Sequence, residues 1–133
     1  MKSLKIILSL LLLTCIIYAF TPERVSIKQD DGMTVEEYVK RTENKDKIVF
    51  VYFKADWCAP CIKLKPAIEQ LQTEEKEKVE ILVIDVDENK KVSTHFEINT
   101  LPLFIIYKNG KKVWENNTSL PKAEIQKKLN LYK

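Results

Sequence analysis

Cys58 and Cys61 stand two residues apart in the segment Trp57-Cys58-Ala59-Pro60-Cys61. A thiol pair at this spacing supports two chemistries, a redox couple or half of a tetrahedral zinc site. Structural zinc wants four ligands, and outside the N-terminal run the only other cysteine or histidine is His95. A zinc site would therefore need a carboxylate or a second chain, so no metal is expected and the redox couple fits better. His95 lies beside Phe96 in a short helical stretch and reads as a partly exposed, structural residue.

The pair's setting sharpens the chemistry. A predicted strand ends near Lys54, and Cys58 falls where the next helix begins, beside unpaired backbone N–H groups and the positive helix end. That setting favours a thiolate, the form that attacks a disulfide. Cys58 is thus the expected nucleophile. Cys61, one turn later on the same face, is expected to be more buried and to resolve the mixed disulfide. The intervening Ala59-Pro60 brings no charge or histidine that would further stabilise the thiolate, which leans towards a reductant.

The elements that must hold this pair follow from periodicity. Ile48 to Phe53 is an apolar run rich in β-branched and aromatic residues, as in a central strand covered on both faces. Cys61, Leu64, Ile68 and Leu71 recur at spacings of three and four, predicting a helix to around Lys76 that Pro66 should kink. Val79 to Val86 predicts a second strand, followed by an acidic turn at Asp85, Asp87 and Glu88 and a short helix to about Phe96. Leu103 to Tyr107 predicts a third strand. Asn109-Gly110 is a hairpin signal, and Lys112 to Glu115 would return as an edge strand. Earlier in the chain, Thr34 and Glu37 form a capping box for a helix with Val35, Tyr38 and Val39 on its apolar stripe, ending near Glu43. Leu120-Pro121 opens a last helix with a stripe of Ala123, Ile125, Leu129 and Tyr132. Its lysines at 127, 128 and 133 read as a solvated face near the negative helix end. A short strand is expected at Val25 to Ile27.

The first twenty residues differ in kind. Lys2 and Lys5 precede an uncharged apolar run from Ile6 to Phe20, with small Ala19 near its end. This is the pattern of a secretory signal, so residues 1–19 are expected to be a signal peptide cleaved after Ala19, or else an uncleaved N-terminal anchor. Residues 20–133 form the expected domain. Leu12-Leu13-Thr14-Cys15 loosely resembles a lipoprotein cleavage box, although an apolar cysteine in the run accounts for it too. With the lysines held on the cytoplasmic side, the rest would be exported, to a periplasm or another oxidising compartment such as the endoplasmic reticulum.

Composition limits the alternatives. At 133 residues the chain suits one core. Its 45% hydrophobic and 31% charged residues argue against disorder or a fibre. Three cysteines are too few for a disulfide framework, and a net charge of +3 is too small to suggest nucleic-acid binding.

Taken together, Phe53-Lys54-Ala55-Asp56-Trp57-Cys58-Ala59-Pro60-Cys61, Pro66 and Leu101-Pro102 followed by Leu103 to Tyr107 and Lys108-Asn109-Gly110 resemble the thioredoxin family. The resemblance implies an α/β thioredoxin-like fold with a central mixed β-sheet flanked by helices. It also implies a redox-active disulfide between Cys58 and Cys61 with no other cofactor. Substrate would be bound by Trp57, Ala59, Pro60, Leu101 and Pro102, with Pro102 a cis residue. Three positions depart from the cytosolic pattern: Tyr52 stands where a buried aspartate assists the resolving cysteine, Val83 where lysine is usual, and Thr118 where a glycine lines the substrate groove. Ala55-Asp56-Trp57 is also similar to periplasmic reductase domains served by membrane electron carriers. The expected function is a thiol-disulfide oxidoreductase that reduces disulfides of exported proteins. Its partners would be protein thiols and disulfides and a transmembrane electron donor, with membrane contact only if the N-terminal segment stays uncleaved. The competing readings are a disulfide oxidase or isomerase, and a Cu(I)-binding or interaction module on the same fold.

Overall fold

The computed structural model describes residues 32–133. The run 1–19 with Cys15, and the strand expected at Val25 to Ile27, lie outside the described residues. The order along the chain is α1 (Val35–Thr42), β1 (Ile48–Lys54), α2 (Ala59–Glu74), β2 (Val79–Asp85), α3 (Lys90–His95), β3 (Leu103–Lys108), β4 (Lys111–Asn116) and α4 (Lys122–Tyr132).

The strands form one sheet in the order β2-β1-β3-β4. β1 runs parallel to β2, with α2 as the crossover, and antiparallel to β3. β3 and β4 form a hairpin. The sheet is therefore mixed and flanked by helices, as expected. Because side chains alternate along a strand, the apolar run of β1 serves two cores. Ile48, Phe50 and Tyr52 join Cys61, Leu64, Ile68 and Leu71 of α2 and Ile125 and Leu129 of α4 on one face. Val49, Val51 and Phe53 join Tyr38 of α1 and Val92 of α3 on the other. Asn109 and Gly110 take φ values of 51° and 75°, the left-handed pair that a two-residue hairpin turn requires.

Thr34 caps α1 by accepting the Glu37 N–H at 3.1 Å. Pro66 lies inside α2, whose helical run continues through it. Several finer expectations need correction. Val39 is exposed, because α1 docks through Tyr38 and Thr42, one turn apart, and Val39 lies round the helix from that line. Ala123 is exposed as well, since Ile125 and Leu129 make the contact of α4. The lysines of α4 are not simply solvated. Lys128 sits over the Trp114 ring at 5.9 Å, and Lys133 pairs with buried Glu75 at 2.6 Å.

Candidate functional site

The carboxyl end of β1 delivers the chain into a loop of three residues before Cys58, which is the N-cap of α2. Ala55 is buried, and its carbonyl accepts the Cys58 N–H at 3.2 Å. The Cys58 sulfur accepts the Cys61 N–H at 3.3 Å. A thiolate is a far better acceptor than a thiol or a disulfide sulfur, so once the pair is reduced this amide stabilises the ionised Cys58 more than it does the oxidised sulfur it meets here. The helix end and this amide thus both favour negative charge on Cys58.

Cys58 and Cys61 form a disulfide with their Cα atoms 5.2 Å apart. Both are buried, Cys61 the more so at 2% against 5% exposure. Ala59 and Pro60 are exposed on the first turn of α2. Trp57 is 70% exposed beside Cys58, and its indole N–H donates to Asp87 Oδ2 at 2.8 Å. The Leu101–Pro102 peptide bond is cis. Leu101 packs against the apolar cluster that contains both cysteines and against the cluster on the other face of the sheet. Thr118 is exposed after β4, where its hydroxyl donates to Asn116 Oδ1 at 3.2 Å. His95 is exposed against the edge of Phe96, away from these residues. Among the described residues no group of three His, Cys, Asp or Glu side chains could hold a metal ion.

Below the pair lies Tyr52. Its ring stacks on Phe104 with centroids 5.2 Å apart, and its hydroxyl donates to the Cys61 carbonyl at 3.3 Å. Burial pushes the phenol up to about 12, partly offset by the charge on Lys54. Tyr52 therefore holds its proton at neutral pH and cannot act as a base. An open groove of about 400 Å³ runs past Cys61, lined by Tyr52, Lys54, Asp56, Lys65 and Val83 among others. Val83, on edge strand β2, is 39% exposed.

Sequence reasoning missed the charged pair at the head of this groove. Lys54 and Asp85 face each other in the β1–β2 register, and the Lys54 ammonium lies 2.5 Å from Asp85 Oδ2 and 2.8 Å from Asp56 Oδ1. The hydrogen bonds from Lys54 to Asp56 and to Asp85 hold its ammonium well above the usual lysine range. Burial raises the Asp85 carboxyl, but Lys54 and the backbone N–H groups of Asp87 and Glu88 outweigh it and leave it below its usual value. The one sequence cue was an acid and a base at the carboxyl ends of two predicted strands. Only the strand register makes them neighbours.

Comparison with known proteins is consistent with this geometry. The thioredoxin family model matches residues 31–131. The chain is 40% identical over 87 residues to a thioredoxin of Chlorobaculum thiosulfatiphilum, covering 65% of this chain and 81% of that one. It is 45% identical over 71 residues to a thioredoxin of Ictalurus punctatus, covering 53% and 66%. Among solved structures, a thioredoxin of Fasciola hepatica superposes with a TM-score of 0.63 at 28% identity, covering 74% of this chain and 90% of that one.

Proposed function

Because this chain belongs to the thioredoxin family and is a thiol-disulfide oxidoreductase acting on protein thiols and disulfides, we propose that it works as a reductant of exported proteins. Cys58 as thiolate attacks one sulfur of a substrate disulfide. The substrate S–S bond breaks, a Cys58–substrate bond forms, and the released substrate thiolate takes up a proton. Cys61 then loses its proton, attacks the Cys58 sulfur and releases the second substrate thiolate. Two electrons pass to the substrate, both of whose thiolates draw their protons from solvent, while Cys58 and Cys61 become a disulfide. Tyr52 cannot accept the Cys61 proton, so that proton leaves to water or to a carboxylate of the groove beside Cys61. Trp57, Ala59, Pro60, Leu101 and Pro102 frame the attacking sulfur and hold the substrate peptide.

The direction of flow rests on one observation. Between the cysteines, Ala59 and Pro60 carry no group that could stabilise the Cys58 thiolate beyond the helix end and the Cys61 amide. A less stabilised dithiol gives up its electrons more readily. Residues 1–19 support export, as a cleaved signal or an anchor, and a reductant working in an oxidising compartment needs a transmembrane electron donor to be recharged. The disulfide is the only redox group this scheme uses.

Equilibrating the protein in glutathione or dithiothreitol buffers tests the direction. A potential of about −270 mV is the expected result, and one of about −180 mV or higher would make the protein an oxidase or isomerase.

A further inference from the structure

Lys54 is the only cation bridging two carboxylates at the head of the groove among the described residues, and its contacts form a closed circuit around the nucleophile's loop. Its ammonium joins Asp85, whose side chain is 7% exposed, to Asp56, whose side chain is 93% exposed. The other oxygen of Asp85 accepts the Asp87 N–H at 2.9 Å, and Asp87 in turn accepts the Trp57 indole. Between these two ties runs Ala55, whose carbonyl receives the Cys58 amide. Lys54, Asp56 and Cys61 also line the same groove.

We propose that Lys54 is a positioning residue of the exchange reaction: it fixes the loop that presents Cys58 and offsets the carboxylate charge beside the two thiols. The inference rests on the thiol-disulfide exchange activity and not on its direction. Asp56 from the loop and Asp85 and Asp87 from the end of β2 and its turn supply three negative charges. From α2, Lys65 and Glu69 line the groove with opposite signs, so Lys54 is the cation set against these three carboxylates and offsets one of them. Without it, a thiolate would form against uncompensated carboxylates and its pKa would rise.

The test follows the pH profile of Cys58 alkylation by iodoacetamide in the reduced protein, together with the equilibrium constant against glutathione. Lys54→Met should raise the alkylation midpoint by about half to one pH unit, roughly a three- to tenfold loss of thiolate below it. Lys54→Arg should keep the midpoint near that of the wild type. Lys54→Met with Asp85→Asn should bring it back, because the lost ammonium takes a carboxylate with it and leaves no buried charge unpaired. If Lys54→Met does not fold, Asp56→Asn on its exposed side chain reports instead and should move the midpoint down. An unchanged midpoint in Lys54→Met, a shift that Asp85→Asn fails to reverse, or an unmoved or raised midpoint in Asp56→Asn would overturn the proposal. Wild-type protein that does not exchange with glutathione disulfide at all would instead contradict the oxidoreductase activity itself.

Discussion

Tyr52 shows how a single side chain can serve the site without taking part in its proton chemistry. It fills the space under α2 by stacking on Phe104, and its hydroxyl ties β1 to the Cys61 carbonyl. Tyr52→Phe keeps the ring and leaves that carbonyl one donor short, which should cost about 1 kcal/mol in urea unfolding. Because the phenol titrates only near pH 12, the pH–rate profile of disulfide reduction between pH 6 and 9 should keep its shape. A lost inflection in the variant would show Tyr52 to be a proton carrier. The cysteine pair was legible in the sequence because its chemistry is local: four residues, a strand end and a helix start define it. The Lys54–Asp85 contact was not, since 31 residues separate the partners and periodicity does not state which strand residues lie opposite.

At the scale of elements, the strands of the central sheet were readable where burial on both faces leaves an unbroken apolar run, as in β1. Helix faces were read less well. In α1, Tyr38 contacts Phe53, Phe96 and Tyr107 and so sets the docking line. The neighbouring Val39 looks equally apolar in sequence, yet it turns outward. The seam between α2 and α4 likewise depends on a contact that no local pattern announces. Glu75, which caps α2 and is 7% exposed, accepts from Lys133 at 2.6 Å and from Gln126 at 3.3 Å. Burial raises its carboxyl, and Lys133 and Gln126 outweigh that to leave it lower than in the unfolded chain. A carboxyl with a depressed folded pKa binds protons more readily when unfolded, so its contribution is full above the ordinary glutamate range near pH 4.3 and fades as pH falls through the folded value. Glu75→Gln should therefore be less stable than wild type by about 1–2 kcal/mol at pH 7. The two proteins should converge in urea midpoints once the pH has fallen well below the ordinary glutamate range. A gap of constant size down to that pH would mean that packing, and not the ion pair, holds α4 to α2.

For the molecule as a whole, redox state and folding are one equilibrium seen from two sides. The cysteine couple exists in the folded and the unfolded chain, and the four states form a closed cycle. If the folded couple is the more reducing of the two, the folded protein must be stabilised by oxidation. For a two-electron couple each 30 mV of difference adds about 1.4 kcal/mol to the oxidised form. A protein built as an oxidant reverses the sign, because its folded reduced form is the favoured one. In this chain the buried cysteines share one cluster with Phe50, Tyr52, Leu64 and Ile68, so a change at the sulfurs acts on the core that joins α2 to the sheet. The helix end, one amide and the carboxylate charge that Lys54 offsets bear on the Cys58 thiolate, while neither Ala59 nor Pro60 supports it. The dithiol form should then gain little from folding. Urea unfolding of the oxidised protein should accordingly show a higher midpoint than that of the protein kept reduced by dithiothreitol. Equal midpoints would place the folded couple level with the unfolded one, and a higher midpoint for the reduced form would identify an oxidant without any redox titration.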